Sequence, residues 1–114
     1  MLDWANFRNK LSSRVGELRK LSPDTVDAYR MAGGAGAKTG HLDAKTRELI
    51  SLAVAVTTRC DGCIAVHSAK AVQEGATRDE IAEALGVAVA MNAGAAVVFS
   101  ARVLDAVDAV EGAR

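Results

Sequence analysis

The residues of this chain best suited to chemistry are two cysteines and a histidine that lie close together in sequence. Cys60 and Cys63 form a C-x-x-C motif, and His67 follows four residues after the second cysteine. They are the only cysteines of the chain, and His67 is one of two histidines. Residues three and four apart share one face of a helix, so the imidazole would lie beside Cys63 and the second sulfur one turn back. This pattern predicts a reactive thiol with a base nearby and a partner for disulfide formation.

Two other interpretations of the motif remain open from its spacing. Cys60, Cys63 and His67 could hold zinc with His41 as a distant fourth ligand, although structural zinc sites usually combine two close ligand pairs. Alternatively, both thiols are inert and buried, as free cysteines often are. We favour redox chemistry, because a zinc site would depend on the isolated His41, and a histidine one turn after C-x-x-C would be a coincidence for inert thiols.

The composition describes one soluble, folded domain over residues 1–114. Half of the residues are hydrophobic, a quarter are charged, and the formal net charge is zero. The length suits one domain, and the zero net charge gives no reason to expect a nucleic acid or an anionic membrane as partner. Residues 1–20 mix charged and apolar side chains and lack the apolar core of a signal peptide, so we expect a cytoplasmic location.

Helical patterns follow one another along the chain, and no segment alternates with period two long enough for a strand. We therefore predict an all-α fold of about six helices. Asp3 caps the first helix, and Ser22 followed by Pro23 starts the second. The second helix is expected to end in a glycine-rich loop at 33–40. Asp43 caps a third helix over 44–56.

Two more helices follow from stop and start signals. The fourth begins around Cys60, carries the cysteine motif and ends near Gly75. Thr77 and Glu80 have the spacing of a capping box, which starts the fifth helix. The cysteine motif is therefore expected at a helix N-terminus, where the helix dipole favours a thiolate.

The segment 85–101 is apolar except for Asn92 and Ser100. It is just short of the length that spans a membrane and is rich in alanine and glycine, so we interpret it as two buried helices joined by a turn at 92–94. The sixth helix then covers about 93–110. One small core cannot cover so many apolar residues, and we expect a homo-oligomer whose subunits meet here.

The glycine-rich segment 33–39 does not match a phosphate-binding loop. That motif is G-x-x-x-x-G-K-[ST], and its two required glycines are here Ala32 and Ala37. No strand precedes the segment. We interpret it as a flexible connector between helices.

A C-x-x-C motif in an all-helical chain differs from the thioredoxin type, in which the motif follows a strand. Over roughly 42–109, the sequence resembles the carboxymuconolactone decarboxylase superfamily, on the side of the AhpD-like alkylhydroperoxidases. The resemblance rests on three segments and on the alanine-rich end: 42–50, 60–67 and 80–85. It implies an AhpD-like helical domain that assembles as a trimer or hexamer.

The same resemblance assigns a role to Glu48, which stands twelve residues before Cys60 as a glutamate does in that family. It implies that Glu48 relays protons and that the external dithiol is a lipoyl group. Two features depart from the best-studied members: Gly62 replaces a histidine found there between the cysteines, and those proteins have an additional helical half. The true decarboxylases generally lack the cysteine pair, which argues against lactone decarboxylation.

The expected activity is a thiol-dependent peroxidase with catalytic residues Cys60, Cys63, His67 and Glu48. Cys63 attacks the hydroperoxide and becomes a sulfenic acid, and Cys60 displaces water to form a disulfide that an external dithiol reopens. This cycle requires no metal and no organic cofactor. Two alternatives remain: a disulfide reductase or redox partner acting on another thiol, and a non-redox member that binds or decarboxylates a small acid.

Overall fold

This computed structural model describes residues 1–113, which contain five α-helices. They are α1 (Trp4–Leu21), α2 (Pro23–Thr39), α3 (Ala44–Thr58), α4 (Asp61–Gln73) and α5 (Arg78–Gly112). These residues contain no strand, so the predicted all-α class is confirmed. The same residues form five helices where about six were predicted, because the expected fifth and sixth helices are one continuous helix, α5.

The helix starts follow the predicted capping residues. Asp3 and Asp43 each accept a hydrogen bond from the backbone N–H three residues on, at 3.2 and 2.8 Å. Thr77 and Glu80 form the predicted capping box at the start of α5. Ser22 occupies the N-cap position of α2, but its side chain makes no capping hydrogen bond.

The predicted loop at 33–40 is wrong, because α2 continues through the glycines to Thr39. Alanines alternate with these glycines and favour the helix. Gly36 also serves a close contact, since a Cβ there would lie 2.7 Å from Cδ of Arg47 on α3. The helix ends instead at Gly40, whose φ of 69° is the left-handed conformation that suits a glycine C-cap.

The predicted turn at 92–94 is also wrong, and Asn92 shows why. Its side-chain amide donates to the backbone oxygen of Ala88, one turn back, at 2.7 Å and to Oγ1 of Thr57 on α3 at 2.9 Å. The asparagine therefore satisfies its donors without leaving the helix. No atom lies close to the space that a side chain on Gly94 would occupy, so this glycine does not require a turn.

The core is small and lies where α3 meets α4 and α5. α3 packs against both of these helices, while α1 packs against α2 and α4. The buried apolar residues are mostly alanines: Val26, Leu52, Ala55, Ala65, Ala71 and Ala88. α1 contributes no buried residue. It is therefore a covering helix, and the central pair α3 and α4 sets the positions of the cysteine motif and Glu48.

An ion pair joins α3 to the start of α5. Nζ of Lys45 lies 2.7 Å from Oε2 of Glu80. The hydrogen bond from Lys45 holds the pKa of Glu80 below its ordinary value, and the backbone N–H of Thr77 lowers it further. The carboxylate of the capping box therefore stays ionised to lower pH than an isolated glutamate.

The chain is extended, and α5 causes most of the extension. The radius of gyration is 19.2 Å and the longest dimension 59 Å, whereas a compact domain of this length has a radius of gyration of about 13 Å. Most large apolar side chains of α5 are exposed, and among them Val97, Val98 and Leu104 are each at least two-thirds exposed. Folding of one chain thus leaves this apolar surface in contact with water.

α5 is also the one helix among residues 1–113 that is long and apolar enough to cross a membrane. Length and composition alone are weak indications, because core helices of soluble proteins meet the same criteria. Only 6% of its most apolar stretch is buried. The interpretation of 85–101 as two buried helices is therefore wrong on both counts.

Candidate active site

The cysteine motif lies at the start of α4, as predicted. Arg59 adopts a left-handed conformation with φ of 55°, which ends α3 and turns the chain directly into α4. Cys60 is the N-cap of α4, and its sulfur accepts a hydrogen bond from the backbone N–H of Cys63 at 3.1 Å. Both cysteines thus lie where free backbone N–H groups and the helix dipole favour negative charge.

A disulfide joins Cys60 to Cys63, and both residues are half-buried. Their Cα atoms are 5.2 Å apart, within the range of about 4.4–6.8 Å that disulfides usually span. The two sulfurs can therefore bond without movement of the helix. That a hydroperoxide is the oxidant stays a prediction.

His67 and Glu48 form a hydrogen-bonded pair across α4 and α3. Nδ1 of the imidazole lies 2.6 Å from Oε2 of the carboxylate, and the two side chains are only 23% and 16% exposed. An ionised carboxylate can only accept, so Nδ1–H donates, and Nε2 becomes the ring nitrogen that can exchange a proton elsewhere. Spacing alone did not indicate Glu48; only the family resemblance did, because the pairing depends on how α3 packs against α4.

A cavity of about 450 Å³ connects the cysteines with His67. It lies among α1, α2 and α4, and α1 supplies an apolar wall formed by Leu11 and Val15. The remaining lining residues are Arg8, Ser12, Tyr29, Arg30, Cys60, Gly62, Cys63, Val66 and His67. Three of the four predicted site residues therefore line one cavity, and the fourth, Glu48, reaches it through His67.

A second cavity, of about 600 Å³, lies on the Glu48 side of the imidazole. Tyr29, Arg30, Val66 and His67 line both cavities, so His67 is accessible from two sides. The first cavity is hereafter called the cysteine cavity and the second the glutamate cavity. No sequence pattern predicts either cavity.

Gly62 allows α1 to pack directly on the cysteine motif. A Cβ at this position would lie 2.9 Å from Cδ2 of Leu11. Arg8 fixes the same helix to α4, because its guanidinium donates to the backbone oxygen of Ala65 at 3.4 Å. A side chain at position 62 would therefore compete with α1 for the space over the motif.

We expect Gly62→Ala to be less stable than Gly16→Ala by about 1 kcal/mol, since both gain helix propensity but only the methyl at position 62 overpacks a contact, the one with Leu11. Gly16→Ala in α1 is the matched control, because nothing lies within 4 Å of its Cβ position and alanine favours the helix by up to about 1 kcal/mol. Urea denaturation of both variants measures the difference. If Gly62→Ala is as stabilising as Gly16→Ala, α1 does not pack on the motif as described.

His41 lies in the exposed connection between α2 and α3 and lines neither cavity. Across residues 1–113, no group of three or more histidine, cysteine, aspartate or glutamate side chains is placed to hold a metal ion. The zinc interpretation, which needs His41 beside the cysteines, gains no support from this geometry.

Comparison with known proteins assigns the chain to a family. Residues 23–106 match the model of the carboxymuconolactone decarboxylase family. The chain is similar to a solved structure of an apo carboxymuconolactone decarboxylase family protein from Legionella pneumophila, with a TM-score of 0.72 and 36% identity over 86% of this chain and 88% of the other.

Proteins of similar length are related to the chain over most of their sequences. An uncharacterised protein of Haemophilus influenzae is 50% identical over 91% of this chain and 92% of its own length. An uncharacterised protein of the cox locus of Paracoccus denitrificans is 38% identical over 91% and 94%, respectively. The family match, the relatives and the shared fold agree: the chain belongs to the carboxymuconolactone decarboxylase family.

Proposed function

We propose that this protein is a thiol-dependent peroxidase that reduces hydroperoxides through a cycle of the Cys60 and Cys63 thiols. One observation carries the proposal: the two cysteines share a helix N-terminus and one cavity with an imidazole whose other side is hydrogen-bonded to Glu48. This set combines a stabilised thiolate, a proton carrier and a second thiol. Family membership alone does not establish this activity, because the family also includes decarboxylases.

In the first step, the thiolate of Cys63 attacks the terminal oxygen of the hydroperoxide, the one that carries the hydrogen. A sulfur–oxygen bond forms, the O–O bond breaks, and Cys63 becomes a sulfenic acid. The leaving alkoxide takes a proton, which His67 supplies, and departs as an alcohol. Glu48 stabilises the protonated imidazole before transfer and orients it.

In the second step, the Cys60 thiolate attacks the sulfur of the sulfenic acid. The S–S bond forms, and hydroxide leaves with a proton as water. An external dithiol then reduces the disulfide by exchange, supplying two electrons and two protons. The resemblance to AhpD-like proteins supports a lipoyl group as this dithiol.

The cysteine cavity supports an alkyl hydroperoxide as substrate. Leu11, Val15 and Val66 give it apolar walls close to the sulfurs. Burial of an alkyl group there contributes roughly 0.8 kcal/mol per methylene. Hydrogen peroxide lacks this contribution and should be the poorer substrate.

The proposal is tested by a peroxidase assay with cumene hydroperoxide as oxidant and dihydrolipoamide as reductant, followed by mass spectrometry of non-reduced peptides. Catalytic turnover with one Cys60–Cys63 link within a single chain is the expected result. Rapid reduction of disulfide substrates without peroxide turnover would favour the disulfide reductase instead. A protein whose two thiols survive excess peroxide would have a non-redox role.

We expect His67→Ala to slow peroxide reduction by about a hundredfold at neutral pH, since it removes the proton carrier. Its thiol alkylation should also shift to higher pH, because no imidazolium remains to stabilise the thiolate. Glu48→Gln should cost on the order of tenfold, because the amide oxygen can still accept from Nδ1–H and only the negative charge that stabilises the imidazolium is lost. Stopped-flow rates across pH measure both effects. Glu83→Gln, which alters an exposed carboxylate on α5, is the control, and equal rates for all three variants would remove the pair from the mechanism.

We also propose that the protein is a homo-oligomer held together by α5, with a trimer or hexamer favoured by the family resemblance. The exposed apolar surface of this helix and the large radius of gyration support the proposal. Alanines and glycines make up much of 85–101 and allow helices to approach closely. A second copy is favoured over a lipid bilayer, because small residues drive membrane insertion weakly. The cytoplasmic location stays a prediction.

A further inference from the structure

The glutamate cavity concentrates positive charge in a chain whose net charge is zero. Arg30, Arg47 and Lys70 line it, and Glu48 is the only acidic residue in its lining. That carboxylate is already engaged by His67. A concave wall with this balance raises the local concentration of anions.

The cations of the cavity have no acidic partner within ion-pairing distance among residues 1–113. Backbone oxygens of Gly36 and Leu42 hold the guanidinium of Arg47 in place. The pKa of Asp27 is lowered mainly by its hydrogen bond with Arg19, and Arg30 is the smallest of the contributions that lower it. Arg30 and Lys70, which are both exposed to solvent, are therefore available to a ligand.

Arg30 lies at the junction of the two cavities. It lines the glutamate cavity with Lys70 and the cysteine cavity with Leu11 and Val15. A ligand whose anionic end binds Arg30 therefore has an apolar wall and the cysteines on its other side. The position matches a molecule with one charged end and an apolar chain.

We propose that the glutamate cavity is a binding site for the carboxylate of a reactant with an apolar chain, held by Arg30 and Lys70. A guanidinium binds a planar carboxylate through two parallel hydrogen bonds. Glu48 in the same cavity repels a dianion more strongly than a monoanion, which favours carboxylate over phosphate. The site stands on its own geometry. Its assignment to the hydroperoxide or to the dithiol rests on the proposed peroxidase function.

The test is isothermal titration of the disulfide-bonded protein, residues 1–114, with octanoate, octanamide and inorganic phosphate. Octanoate should bind at least about tenfold more tightly than octanamide, because only the acid makes charge-assisted hydrogen bonds. Arg30→Gln and Lys70→Gln should each weaken octanoate binding and leave octanamide binding unchanged. Arg14→Gln is the matched control, since Arg14 is exposed on α1, pairs with Glu17 and lines neither cavity.

Several outcomes would overturn the site. They are equal binding of octanoate and octanamide, no binding of octanoate, tighter binding of phosphate than of octanoate, and equal losses in Arg30→Gln and Arg14→Gln. Circular dichroism of each variant shows that the helices are retained. Binding is measured without turnover, so the two proposals can fail separately. A protein that binds octanoate as expected but shows no peroxidase activity would refute the proposed function and support the site. An active peroxidase that does not bind octanoate would support the function and refute the site.

Kinetics then identify which reactant carries the carboxylate. Arg30→Gln should raise KM for a carboxylate-bearing hydroperoxide but not for cumene hydroperoxide if the substrate is the acid. It should raise KM for dihydrolipoate but not for dihydrolipoamide if the dithiol is the acid. Either result supports the site, and unchanged KM values for both acids would contradict its role in turnover.

Discussion

Cys63→Ser is expected to reduce peroxide turnover to the uncatalysed rate. Each subunit of Cys60→Ser, by contrast, should reduce one hydroperoxide molecule and then stop. A serine hydroxyl does not attack an O–O bond at neutral pH, so loss of the attacking sulfur removes the reaction. Without Cys60, the Cys63 sulfenic acid has no partner and should persist or oxidise further. Alcohol released per subunit measures the single turnover, and trapping with dimedone followed by mass spectrometry detects the sulfenic acid.

One contact favours the opposite assignment, in which Cys60 is the attacking thiol and Cys63 the resolving thiol. The backbone N–H of Cys63 donates to Sγ of Cys60, and such a hydrogen bond stabilises negative charge on the sulfur that accepts it. The alkylation rate of the single thiol left in each variant, measured across pH, compares the two directly. Faster alkylation of Cys60 at low pH, together with a single turnover in Cys63→Ser, would reverse the attacking and resolving roles and leave the dithiol cycle intact.

Val98→Glu is expected to break the assembly into monomers. The side chain of Val98 is 74% exposed in one chain, and an unpaired carboxylate in an apolar interface costs several kcal/mol. Multi-angle light scattering should give at least three chains of 11.8 kDa for the unmodified protein and one chain for the variant. Ser13→Glu, at an exposed position of α1, should keep the assembly.

The monomeric variant should also lose stability, because α5 then exposes its apolar face permanently. Thermal denaturation followed by circular dichroism would show a lower midpoint that no longer depends on protein concentration. A well-folded monomer of the unmodified protein at micromolar concentration would contradict the proposed assembly.

Side chains that act locally made much of the fold predictable. Asp3, Asp43 and the Thr77–Glu80 pair bond to backbone groups within one turn, so sequence alone locates the helix starts. Glycine and asparagine were poorer signals for helix ends. Gly36 serves a contact with Arg47, and the hydrogen bond of Asn92 to Thr57 depends on a helix far away in sequence. Such contacts exist only once the helices have packed.

In the candidate site, too, local sequence predicted some residues, and the positions of others depend on helix packing. Cys60, Cys63 and His67 lie on one helix, and spacing was enough to bring them together. Glu48 joins them only through the packing of α3 against α4, so the family resemblance was needed to name it. The glutamate cavity combines Arg30 from α2, Arg47 from α3 and Lys70 from α4, and no sequence pattern links these positions.

α1 covers the cysteine cavity but lies outside the matched family region, which begins at residue 23. The chemistry and its cover therefore belong to different parts of the chain. Substitutions at Leu11 or Val15 can change the shape of the cysteine cavity without altering Cys63 or His67. Under the proposed peroxidase function, chimeras that join residues 23–114 to the first helix of a relative are expected to differ in peroxide selectivity and to keep the rate of the sulfur chemistry.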